Sequence, residues 1–80
     1  MTISWDRPVE LYFADSNKVT VNGPKEALDY LLAMWPTEQG DVYLNSKNAC
    51  MDAIEGVVPV EQARQAFVAA AEKAGIASRP

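Results

Sequence analysis

The stretch PVELYFADSNKVTVNGP, residues 8–24, decides how the chain begins to fold. It holds two short runs in which apolar and polar residues alternate, separated by a polar turn, and this pattern predicts a β-hairpin. The apolar residues of each run share one face of their strand: Val9, Leu11 and Phe13 in the first, Val19 and Val21 in the second. The sequence therefore predicts a hairpin within residues 5–22.

The register of this hairpin follows from matching the two apolar faces. A three-residue turn at residues 15–17 pairs Phe13 with Val19 and Leu11 with Val21, which keeps both apolar faces on one side of the sheet. A two-residue turn would direct one of these faces toward water. We therefore expect the three-residue turn.

After the hairpin, the spacing of apolar residues becomes that of α-helices. Pro24 suits a first helical position, because its missing N–H has no partner there in any case. Pro36 restricts the residue before it and ends the first helix, whereas Gly56 and Gly75 suit the left-handed position that follows a helix. The predicted helices cover residues 24–35, 41–55 and 60–74.

Two segments are harder to interpret. Residues 41–46 include Val-Tyr-Leu, which alone fits a strand, although the spacing over the longer window favours a helix. Residues 76–80 are expected to be a loose tail, with Ile76 packing at the end of the last helix. The predicted fold is thus α+β, a single domain over residues 1–80 with an N-terminal antiparallel β-hairpin followed by three helices (ββααα).

A domain of 80 residues gains only about 3–5 kcal/mol from its own core, and further support is common at this size. The single cysteine, Cys50, excludes an intrachain disulfide, and the absence of histidine disfavours a zinc site. We therefore expect no metal, no cofactor and a homodimer. Its interface would be the hairpin edge or a helix face.

Charge and hydropathy narrow the possible partners and the location. The formal net charge is −4 and the seven basic residues are scattered, which disfavours nucleic-acid binding. No apolar run approaches the roughly 20 residues of a membrane span, and the first residues do not resemble a signal peptide. We expect a cytoplasmic protein without nucleic-acid or membrane partners, and an unidentified protein partner stays open.

Cys50 and the carboxylates are weak candidates for catalysis. A nucleophilic thiolate needs a nearby base or cation, and the neighbours of Cys50 indicate an apolar helical face instead. The pairs Asp52 with Glu55 and Glu38 with Asp41 have no apolar setting that would separate their pKa values. We therefore expect a buried cysteine, solvated carboxylates, no catalytic residue and no enzymatic activity.

Trp35 and Arg64 are the candidate ligand-binding residues. Trp35 ends the apolar stripe of the first helix and is expected to be mainly a core residue. Arg64 precedes Phe67 by three positions and could reach carbonyls at the end of the first helix or stack on an indole ring. A ligand carboxylate could use the same guanidinium.

Four motifs give the chain a resemblance to a known family. They are W-x-x-P-V at residues 5–9, E-A-L-x-x-L-x-x-x-W-P at 26–36, C-x-x-A-x-x-G at 50–56 and A-R-x-A-F-x-x-A-A at 63–71. Together they resemble the bacterial family called domain of unknown function 982. The resemblance implies a small α+β domain of a hairpin and helices, and it brings no established activity.

These observations favour a small non-catalytic cytoplasmic interaction or regulatory module that acts as a homodimer. The alternative is a small-ligand-binding protein or accessory subunit that uses Trp35 and Arg64. The environment of the Arg64 guanidinium distinguishes them, because donors saturated by backbone carbonyls indicate a structural role.

Overall fold

The computed structural model describes residues 4–12, 18–33, 35 and 40–79. Their elements, in chain order, are β1 (Val9–Tyr12), β2 (Lys18–Val21), α1 (Pro24–Ala33), α2 (Asp41–Ile54), α3 (Val60–Lys73) and β3 (Ala77–Arg79). The predicted α+β fold, a hairpin followed by three helices, is confirmed. The structure also contains a third strand, β3, which was not predicted.

Strand β1 is the centre of an antiparallel sheet with the order β2-β1-β3. Its side chains alternate between two environments, because successive residues of a strand point to opposite faces. Val9 and Leu11 are fully buried, whereas Glu10 is half-buried and Tyr12 is exposed. One face of the sheet therefore belongs to the core and the other faces solvent.

The hairpin register differs from the predicted one by two residues. Leu11 pairs with Val19, and Val9 pairs with Val21, whereas the prediction set Leu11 opposite Val21. Because a shift of two residues returns every side chain to the same face, the predicted core face is nevertheless correct. The turn predicted at residues 15–17 lies outside the described residues.

The prediction of a loose tail over residues 76–80 is wrong for the part that the structure describes. Ala77–Arg79 form β3, which pairs with β1 and sets Ser78 opposite Leu11. The free edge of β1 offers backbone partners to any extended segment, so pairing does not depend on β-forming side chains. The short sequence Ala-Ser-Arg has no alternation of apolar and polar residues from which a strand could be predicted.

Helix α1 begins at Pro24, as predicted, and the Glu26 carboxylate accepts hydrogen bonds from the backbone and side-chain N–H groups of Asn22, both at 3.4 Å. The carboxylate therefore holds the chain that enters the helix. The helix ends at Ala33, two residues before the predicted end, and Trp35 lies outside it. Pro36, the predicted cause of this end, lies outside the described residues.

Helices α2 and α3 end at Ile54 and Lys73, and a glycine with left-handed backbone follows each of them two residues later, as predicted. Gly56 has φ 79° and Gly75 has φ 78°. After α3, the N–H of Ile76 donates to the carbonyl of Ala71 at 2.9 Å, and the Ile76 side chain is buried. This arrangement is a Schellman end with its hydrophobic contact. Residues 41–46, for which strand and helix competed, belong to α2.

Helix α3 is the centre of the domain. It packs against β1 and β3 on one side and against α2 on another, and α2 packs in turn against α1. Small residues on α3 allow this close approach, namely the buried Ala63, Ala70 and Ala71. Phe67, fully buried on the same helix, is the largest of the fully buried side chains.

Candidate functional site

Phe67 lies between two tryptophans from distant parts of the chain. Its ring centroid is 6.0 Å from that of Trp5 and 5.6 Å from that of Trp35, and both pairs are tilted. These separations fall within the range in which aromatic pairs attract beyond simple burial. The three rings therefore join the segment before β1, the segment after α1 and helix α3.

Trp5 is a core residue that the reasoning from periodicity missed. It is 5% exposed, and its indole N–H donates to the carbonyl of Val60 at 2.8 Å. Its backbone N–H also donates to the carbonyl of Asn22 at 2.8 Å. Trp5 stands before any periodic run, so the only sequence signal for it was its place in the W-x-x-P-V motif.

Trp35 is half-buried, so one part of its side chain belongs to the core and another part lines a cleft. One part of it packs on Phe67, and it also lines an open cleft of about 540 Å³. The other described residues that line this cleft are Gly40, Asp41, Val42, Tyr43, Ala70, Lys73 and Ala74. The expectation that Trp35 belongs mainly to the core is thus correct for only part of its surface.

The Trp35 cleft combines apolar surface with one negative and one positive charge. Alanine side chains of α3 and the Trp35 ring supply apolar surface, whereas Asp41 and Lys73 supply one negative and one positive charge. The Tyr43 hydroxyl donates to the Leu31 carbonyl, so its proton is already engaged. A small molecule with an apolar or aromatic body and charged ends matches these groups.

Arg64 is 6% exposed and holds the chain that leads into β1. Its Nε donates to the Arg7 carbonyl at 2.9 Å, and its Nη1 lies 3.7 Å from a carboxylate oxygen of the exposed Glu61. Its Nη2 is buried without a hydrogen-bond partner among the described residues. Carbonyls at the end of α1 and an indole ring were the two partners considered for Arg64, and the carbonyl to which it donates belongs instead to Arg7, in the segment before β1.

The two candidate ligand-binding residues line different clefts. Arg64 borders a shallow depression of about 290 Å³ together with Gln65, Val68, Ala69 and Glu72 of the same helix. Of the three clefts that the described residues form with the best definition, none is lined by both Trp35 and Arg64. The geometry therefore favours Trp35, without Arg64, as part of a ligand cleft.

Cys50 is fully buried on α2. Burial raises the pKa of its thiol from 9.0 to about 11, and the neighbouring Ser46 hydroxyl opposes part of this rise. The Ser46 oxygen has no hydrogen-bond partner of good geometry among the described residues, so its influence on the thiol is weak. The thiol stays protonated at neutral pH and is a poor nucleophile.

We expect native Cys50 to react far more slowly with a thiol reagent at neutral pH than it does in urea.

The free energy of unfolding should also depend on pH through Cys50. The unfolded thiol loses its proton near pH 9.0 and the native thiol near pH 11, so stability should fall as pH rises between these values. The slope is at most about 1.4 kcal/mol per pH unit. Urea unfolding of wild type and Cys50→Ala at several pH values isolates this contribution. Rapid stoichiometric labelling of the native thiol at neutral pH would contradict the burial of Cys50, from which both expectations follow.

Three of the four carboxylates named as possible acid and base pairs are described, and they lie near the two ends of α2. Asp41 and Glu55 are exposed, Asp52 is half-buried, and Glu38 lies outside the described residues.

Within residues 4–12, 18–33, 35 and 40–79, no three potential metal-ligating side chains form a group. None of the helices described is both long and apolar enough to cross a bilayer.

Comparison with known proteins places the chain in a family. Neither the curated proteins nor the solved structures gave a match. The model of the family described as protein of unknown function (DUF982) matches residues 7–78, which is nearly the whole chain. The chain therefore belongs to the DUF982 family.

Proposed function

We propose that this protein is a small non-catalytic interaction or regulatory module that acts as a homodimer in the cytoplasm. The observation that carries the proposal is the position of β2, which is an outer strand of the sheet with no further strand beside it among the described residues. An outer strand presents backbone N–H and C=O groups that can pair with another strand. A second copy of β2 is a partner with the same alternation of faces.

Two β2 strands can join antiparallel about a two-fold axis, which gives a continuous sheet across both copies. Directly opposite residues share a face, so the two core faces coincide when a residue lies opposite its own copy. Of these registers, Val19 opposite Val19 and Thr20 opposite Thr20 pair the most residues of β2. In the first register Lys18 lies opposite Thr20, and in the second it lies opposite Asn22. Neither register sets Lys18 directly against its own copy.

The third strand changes what such a dimer would contribute. Strand β3 already covers the edge of β1, so dimerisation is not needed to complete the hairpin. Strand β2 has only four residues, and its edge alone buries less than the roughly 1,200 Å² of standard interfaces. We therefore expect a weak dimer that dissociates on dilution.

Sedimentation equilibrium tests the dimer. We expect the wild-type mass to rise from 8.8 kDa toward twice that value with concentration. Thr20→Lys should abolish the rise, because in either register the new lysine meets its own copy or Lys18 across the interface. Gln62→Lys adds the same charge to an exposed site on α3 and should leave the rise unchanged. A wild-type mass that stays at 8.8 kDa up to millimolar concentration would exclude the dimer.

The Trp35 cleft supports a second candidate function, that of a small-ligand-binding protein or accessory subunit. Its volume of about 540 Å³ lies within the range of sites for small molecules. Native mass spectrometry of protein purified from its own cells would test it, with a bound small molecule retained by wild type and lost by Trp35→Ala. Wild-type protein that carries no such molecule would count against this function.

A further inference from the structure

We propose that the outward face of α2 is a docking surface for a basic amphipathic helix of another protein. This face carries Leu44 and Met51, which are 43% and 39% exposed although both are large and apolar. They are seven residues apart and so lie two turns apart on one line of the helix. Asn48 lies between them and is also exposed. The opposite side of α2 is occupied by the core.

Charge gives this surface its specificity. Asp41 lies about one turn before Leu44, and Glu55 lies about one turn after Met51, and both acids are exposed. Among the described residues, neither takes part in a salt bridge. The apolar pair is therefore bracketed by two carboxylates that form no ion pair among the described residues, and one of them, Asp41, also lines the Trp35 cleft together with Lys73. Single exposed apolar residues are common on protein surfaces, and it is this bracketing that distinguishes the face of α2.

The spacing and the charges together define the partner. Two apolar residues two turns apart are about 10 Å apart along a helix axis, and a second helix can present two apolar residues at the same spacing. Lys or Arg one turn outside that apolar pair would meet Asp41 and Glu55. Complementary charges of this kind speed association and select the partner.

Two other occupants fit less well. If a second copy packed antiparallel along this face, Lys47 of one copy would lie near Lys47 of the other. If it packed parallel, Asp41 would lie near Asp41 of the other copy and Glu55 near Glu55. An anionic membrane surface would be repelled by the same two carboxylates. A basic helix of another protein avoids both repulsions when its cations lie at the ends of its apolar pair, away from Lys47, which lies between Leu44 and Met51 along α2.

This surface is independent of the β2 edge. Helix α2 packs against α3 and α1, whereas the sheet packs against α3, so the two surfaces belong to different layers of the domain. Binding at α2 therefore does not require the homodimer. If the dimer forms, it presents two α2 faces, and a partner with two basic helices would gain affinity through avidity.

The experiment uses two synthetic helical peptides and isothermal titration, with NMR to locate the contact. The first peptide carries leucines two turns apart and lysines one turn outside them, and the second carries glutamates in place of the lysines. We expect saturable binding of the lysine peptide, with amide shifts centred on residues 44–51. Binding of the glutamate peptide should be weaker by at least about tenfold, since each end loses an ion pair and gains a repulsion.

Variants of the protein provide the matched controls. Met51→Ser and Glu55→Lys should each weaken binding of the lysine peptide by about tenfold, whereas Val57→Ser, at a residue that is 68% exposed and beyond α2, should leave it unchanged. No saturable binding by about 1 mM, or equal binding of both peptides, would overturn the proposal. A loss of the sedimentation dimer in Met51→Ser would also overturn it, because the occupant would then be a second copy. The comparison of the two peptides uses only the wild-type protein, so this test remains valid even if a substitution unfolds the protein.

Discussion

Replacing Phe67 with alanine is expected to leave a large fraction of the protein unfolded at 25 °C. Phe67 is fully buried and is in contact with both Trp5 and Trp35, so its removal would leave a cavity at the centre of the core. Substitutions of this kind cost about 3–5 kcal/mol. A domain of this size gains only about 3–5 kcal/mol from its own core, so a loss of this magnitude leaves little or no net stability.

Urea unfolding followed by circular dichroism measures this loss. Phe67→Leu is the matched control, because leucine keeps most of the buried volume and should cost about 1–2 kcal/mol. A Phe67→Ala protein with the unfolding midpoint of wild type would show that α3 does not organise the core.

Replacing Trp5 with alanine is expected to cost about 3–5 kcal/mol, which is more than the same change at Trp35. Trp5 is 5% exposed and loses both its packing on Phe67 and its hydrogen bond to Val60, whereas Trp35 is half-buried. The Trp35→Ala change should therefore cost roughly half as much, about 2 kcal/mol.

Trp5→Phe separates the two contributions of Trp5. It keeps an aromatic ring against Phe67 and removes the indole N–H, which leaves the Val60 carbonyl without that donor and should cost about 1–2 kcal/mol. Urea unfolding of the three variants gives the order. If Trp35→Ala destabilised the protein more than Trp5→Ala, the assignment of Trp5 to the core and Trp35 to its rim would be wrong.

The parts of the fold that local chemistry determines were predictable. The start of α1 at Pro24 and the left-handed ends at Gly56 and Gly75 depend on the backbone of single residues, and each was predicted at the right residue. The alternation in β1 and β2 identified the core face of the hairpin. It could not identify the register, because shifts of two residues leave the same side chains inside.

The parts that depend on distant contacts were not predictable from local patterns. Trp5 is held by Val60, Arg64 by Arg7, and β3 by β1, and each contact joins residues more than fifty positions apart. Neither periodicity nor turn residues report such pairs. The same limit explains the candidate site, where Trp35 and Arg64 were each worth naming but line separate clefts.

The pairing of β3 with β1 also has a consequence for the order of events while the chain is being made. Glu10 emerges from the ribosome about seventy residues before Arg79, its partner across the sheet. During that interval β2 is the one strand among those described with which β1 can pair, and the other edge of β1 stays available to any extended chain nearby. Contacts so far apart in sequence also form slowly. The newly made protein therefore has an open β1 edge, and can misassociate there, until residues 77–79 have left the ribosome and paired.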